Sequence, residues 1–128
     1  MKTKYIDVGD GKWGIILIYD YTEDDYEDMA AIMRSFGMRE KDIKKALNIL
    51  SCYDTGMTVS QEDLRMSAVF IGKASSRGQW WNTVNHEMLH VGTAIIDYYD
   101  EDYDGEPAAY LQGYLMQQVV EDIAEPCR

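Results

Sequence analysis

From Asn82 to Tyr99 the only residue that disfavours a helix is Gly92. Inside that stretch stand both histidines of the chain, His86 and His90, four positions apart, with Glu87 directly after the first. A helix puts such a pair one turn apart on one face, so both imidazoles can reach one ion. Two histidines placed at random among 128 positions fall four apart in about 1.5% of arrangements, and requiring the Glu lowers this to on the order of 0.1%. Chance is a poor explanation of the pattern, and the rest of the chain has to build a fold around this helix.

The flanking sequence supplies the other elements. Lys4 to Val8 and Trp13 to Tyr19 surround Gly9-Asp10-Gly11-Lys12, a cluster suited to a hairpin turn. Thr22, with Asp25 three residues on, has the form of a helix N-cap. Tyr26, Met29, Ala30, Met33 and Phe36 follow the helical spacing up to Gly37, a natural C-cap. Ile43, Ala46, Leu47 and Leu50 predict a second helix, followed by a loop through Asp54, Thr55 and Gly56. Met66 to Ile71 reads as a strand, and Pro107 to about Val120 as a last helix with Pro107 in its first turn. With no repeat or composition break, residues 1–128 are expected to form a single α+β domain. Its small sheet, mixed or antiparallel, combines the hairpin with one edge strand before the histidine helix, and packs against about four helices.

Charge and hydropathy narrow the partners. Twelve Lys and Arg against 23 Asp and Glu leave a net charge of −11, which repels phosphate and argues against nucleic acid or an anionic membrane. The longest apolar run, Ile15 to Ile18, is too short to span a bilayer, and the first residues lack the apolar centre of a secretion signal, so a cytoplasmic protein is expected. Cys52 and Cys127 show no metal-knuckle or disulfide spacing and are read as free thiols.

Zinc suits the histidine pair, because neutral imidazole is a preferred ligand and the ion accepts a tetrahedral site with one position open to water. Glu87 then stands where a carboxylate could take a proton from that water and pass it to a leaving amine. The bland alternative is two surface histidines flanking a solvated Glu. Met88, Leu89 and Val91 argue against it by predicting a substantially buried helix, where imidazoles need partners. A catalytic zinc takes three protein ligands, and no further histidine exists. Asp97 is about 10 Å further along the helix and out of reach. Glu106 opens the next helix, and a reversal through Asp100 to Gly105 would fold that helix back along the first. Glu106 is therefore the favoured third ligand, with Asp104 of the acidic loop and, more remotely, Cys52 as alternatives. Service to the helix dipole would explain Glu106 without a metal.

His86-Glu87-Met88-Leu89-His90, followed after a short acidic loop by Gly105-Glu106-Pro107-Ala108-Ala109-Tyr110-Leu111-Gln112-Gly113-Tyr114-Leu115, resembles the minimal gluzincins. These include the ImmA/IrrE-like metallopeptidases and small HExxH proteins of phages and mobile elements. The resemblance covers about the second half of the chain. It implies a zincin-like fold, a zinc cofactor on His86, His90 and Glu106, Glu87 as catalytic acid and base, and cleavage of peptide bonds through a metal-activated water. It also implies a cleft lined by the strand before the active-site helix, a place that Met66–Ile71 would take in this chain, where a peptide can add through main-chain hydrogen bonds.

Two rival readings accompany this one. Asp100, Asp102, Asp104 and Gly105 spell the opening of an EF-hand calcium loop, but its eighth and twelfth positions are Pro107 and Leu111, where an apolar β-branched residue and a bidentate Glu belong. A non-catalytic, zinc-stabilised module that binds peptide or protein along its strand is the other. The acidic loop would favour a basic peptide under either peptide reading. Trp80, Trp81, Tyr98, Tyr99, Tyr103, Tyr110 and Tyr114 read mainly as packing, although one tyrosine could donate to an oxyanion. Gln79, Asn82 and Asn85 read as capping residues or as supports for the ligands.

Overall fold

A computed structural model describes residues 1–100 and 106–123. Its elements run β1 (Lys2–Val8), β2 (Trp13–Tyr19), α1 (Tyr26–Ser35), α2 (Glu40–Leu50), β3 (Gly56–Gln61), β4 (Met66–Ile71), α3 (Arg77–Tyr99) and α4 (Glu106–Ile123). The α+β class, the four helices and a mixed sheet agree with the sequence reading. The hairpin forms where expected. Gly9, Asp10 and Gly11 all take positive φ (64, 53 and 87°), which suits glycine and is tolerated by Asp, and the Asp7 carboxylate accepts from Gly11 N at 3.0 Å.

The four strands lie in the order β1-β2-β4-β3, with β2 and β4 parallel and the outer pairs antiparallel. This corrects one expectation. Met66–Ile71 is not an edge strand: it lies inside the sheet between β2 and β3, and every residue after Met66 is buried. A continuous apolar run is what a strand covered on both faces requires. The edge beside the histidine helix is instead Gly56–Gln61, a segment whose beginning reads as loop in the sequence.

Side chains alternate across the sheet and feed two cores. Ile15, Leu17, Tyr19, Val69 and Ile71 point to the face covered by α3 and α4, where they meet Val84, Met88, Val91, Ile95, Leu115 and Val119. Ile18, Ala68 and Phe70 point the other way, against Met29, Met33, Phe36, Ile43 and Leu50 of α1 and α2. Helix α3 starts earlier than its periodicity suggests, because the Ser76 hydroxyl caps it by accepting from Gln79 N at 3.1 Å. Tyr99 and Tyr114 tie α3 and α4 to the hairpin by donating to the carbonyls of Lys12 (2.6 Å) and Asp7 (3.0 Å). No helix among the described residues is long and apolar enough to cross a membrane.

Candidate metal centre

Strand β3 crosses α3 at Thr83 and Glu87, and the closeness of that crossing depends on Gly56. A Cβ there would stand 2.8 Å from Thr83 Cγ2 and 2.9 Å from Glu87 Cγ, too close for any other residue without a shift. Glu87 is consequently buried, at 5% exposure, although it carries a carboxylate. Its Oε1 accepts from the Thr58 hydroxyl at 2.8 Å, which partly compensates the lost hydration. His86 and His90 emerge on the adjacent, open side with ring centroids 5.0 Å apart, and His86 Nε2 lies 3.8 Å from Glu87 Oε2. Together with Gly56, Met57, Thr58 and Ser60 they line a cleft of about 470 Å³.

The structure thus brings His86, Glu87 and His90 together, but it alters one argument for metal. Met88 and Val91 are buried as expected, whereas Leu89 is 59% exposed and both imidazoles face solvent. Solvated imidazoles need no partner to offset burial, so that reason for invoking an ion falls away.

Glu106 is not brought to the pair. Helix α4 does fold back antiparallel to α3: Pro107 and Leu111 lie beside Ile95, Ile96 and Tyr99, and Gln112 Nε2 donates to Asn85 Oδ1 at 2.9 Å. That packing uses the Asn85 and Gly92 side of α3, roughly 100–160° around the helix from His86 and His90 at 100° per residue. Exposed Glu106 begins α4 near the far end of α3, and among the described residues no group of three His, Cys, Asp or Glu side chains could hold a metal. The donors fit zinc as a two-histidine pair, and among the described residues they lack the third protein ligand of a catalytic site.

The other sequence candidates fall elsewhere. Asp104 and Cys127 lie outside the described residues, as do Asp102 and Gly105 of the calcium-loop reading and Tyr103. Cys52 is a free, exposed thiol. Among the described residues no tryptophan or tyrosine lines the cleft, and Asn85 is engaged with α4 rather than with either histidine. Thr58 and Ser60 are cleft residues that the motif does not reveal. Their signal in the sequence is a period of two: Met57 and Val59 pack against the α1/α2 core, while Gly56, Thr58 and Ser60 between them face α3. Comparison with protein-family models, curated proteins and solved structures gave no match.

Proposed function

We propose that this chain is a zinc-dependent, metallopeptidase-like hydrolase that acts on a peptide laid along β3. The observation that carries the reading is the placement of HExxH: Glu87 is buried and oriented by Thr58 of the edge strand, directly beside two solvent-open imidazoles. An extended peptide can pair with the outer edge of β3, which is the last strand of the sheet among the described residues, and this would bring its backbone over the cleft. His86 and His90 would hold the zinc, which supplies Lewis acidity. Glu87 would hold and release the proton of the reaction, with Thr58 fixing the carboxylate against rotation. Glu106, the third ligand that the gluzincin resemblance implies, stands apart from the pair at the start of α4 and is not part of this reading. A net charge of −11 favours a basic peptide, and a cytoplasmic setting belongs to the same proposal.

A second reading has an observation of its own. The third donor is absent among the described residues, and Glu87 already serves the packing of α3 on β3. Both suit a non-catalytic module that binds peptide on its edge strand.

Elemental analysis of untagged protein purified without chelator, combined with a peptide-library assay, separates the two. The hydrolase reading expects one zinc per chain, lost in His90→Ala but retained in Glu87→Gln, which loses turnover. No turnover in a wild type that binds peptide favours the binding module. Full activity of Glu87→Gln would sink the hydrolase mechanism.

A further inference from the structure

Three hydroxyl-bearing or indole side chains form a line across the sheet toward the cleft. Trp13 Nε1 on β2 donates to Ser67 Oγ on β4 at 2.9 Å, and Ser67 Oγ lies 2.7 Å from Ser60 Oγ on β3. The indole N–H is a donor only, so Ser67 accepts from it. Ser67 is completely buried, and among the described residues its own hydroxyl hydrogen has one neighbour able to receive it, Ser60 Oγ. If Ser60 donated instead, the Ser67 hydrogen would be left without an acceptor in the interior, which is costly. Satisfying every group therefore runs the chain one way, from Trp13 to Ser67 to Ser60, and each bond polarises the next.

We infer that Ser60 turns its hydroxyl hydrogen into the β3–α3 cleft as a fixed donor for an oxygen atom of the bound ligand, such as a peptide carbonyl. The inference rests on the reading of that cleft as the ligand site. The other cleft hydroxyl, Thr58, already spends its hydrogen on Glu87. Gly56 and Met57 offer no side-chain donor, which makes Ser60 the neutral hydroxyl donor of the cleft lining. Its role is to orient the ligand oxygen, with a direction set from the far side of the sheet by an indole that never meets the ligand.

Two measurements test this. Proton NMR of the metal-free protein should show a slowly exchanging Ser67 hydroxyl with a cross-peak to the Ser60 β-protons and a fast-exchanging Ser60 hydroxyl. A protected Ser60 hydroxyl would overturn the assignment, whether or not the protein takes zinc. Calorimetric titration of zinc-loaded protein with acetohydroxamate, an oxygen-donor probe, should then show binding about 10-fold weaker in Ser60→Ala, as for one hydrogen bond to a charged oxygen. Zinc content should be unchanged, and Ser60→Thr should restore affinity. Equal affinity in Ser60→Ala overturns the donor role. Failure of the wild type to take up zinc overturns the metal reading instead, and is seen before any Ser60 variant is made.

Discussion

Gly56→Ala and Gly113→Ala make the same chemical change with opposite expected signs. At Gly56 the new methyl would meet Thr83 Cγ2 at 2.8 Å, Glu87 Cγ at 2.9 Å and Glu87 Oε2 at 3.1 Å. These atoms belong to the packed crossing of β3 and α3, so the helix must move outward, and such overpacking costs about 1–3 kcal/mol. Against this, φ at Gly56 is not positive, and alanine removes about 0.4–1 kcal/mol of unfolded-state entropy. The net expectation is a loss of about 1–2 kcal/mol. At Gly113, within α4, an added Cβ meets no heavy atom within 4 Å, and helix propensity alone should yield a gain of about 0.8–1 kcal/mol. With an unfolding entropy of about 2.1 cal/mol/K per residue, these correspond to a melting temperature about 4–7 °C lower and about 3–4 °C higher. Thermal unfolding followed by circular dichroism in chelator, with all three proteins at equal concentration, reads both. A Gly56→Ala protein as stable as the wild type would refute the claim that this glycine sets the spacing of the cleft.

Thr58→Val deprives buried Glu87 of its hydroxyl donor at nearly constant volume, and should lower urea-unfolding stability by about 1–3 kcal/mol. The double variant with Glu87→Leu should recover part of that loss, since no unpaired carboxylate remains. Burial pushes the Tyr21 hydroxyl pKa far above its ordinary value, and this hydroxyl donates to Leu50 O, at the end of α2, at 2.7 Å. Tyr21→Phe should therefore cost about 1 kcal/mol and accelerate hydrogen exchange in the last turn of α2. The Thr22 N–H, donated at 2.9 Å, holds the Asp25 carboxyl below its ordinary value of 3.8. A carboxyl depressed in the folded state stabilises above its unfolded pKa and loses that contribution as pH falls through the folded one. Asp25→Asn should thus flatten the stability profile below about pH 4, measured by urea unfolding across that range, while leaving the profile near neutrality unchanged in shape.

The parts of this fold legible in the sequence are those governed by local periodicity. The hairpin turn, α1, α2, β4 and the histidine helix all announce themselves through spacing or turn chemistry. Position within the sheet does not. Met66–Ile71 and Gly56–Gln61 are both six residues long, and only the side chains covering each strand decide which is inner and which is edge. The catalytic candidates divide the same way. Two histidines and a glutamate within five residues are fixed relative to one another by helix geometry alone. Glu106 depends on which face of α3 receives α4, and that face is chosen by Asn85, Gly92 and the apolar residues of both helices, through contacts no short motif encodes.

The sheet acts as a partition with unequal obligations on its two sides. Met29, Met33, Phe36, Ile43 and Leu50 complete one core without contributing a lining residue to the histidine cleft, whereas Gly56, Thr83 and Glu87 must satisfy packing and cleft shape together. The α1/α2 layer is accordingly free to drift in sequence as long as it stays apolar and fills its volume, and changes there should alter how much folded protein accumulates rather than the lining of the cleft. The α3 layer has no such latitude, so laboratory variation aimed at a sturdier protein belongs on the α1/α2 side, and variation aimed at the cleft on Ser60 rather than on Gly56 or Thr58, which the packing of Glu87 requires.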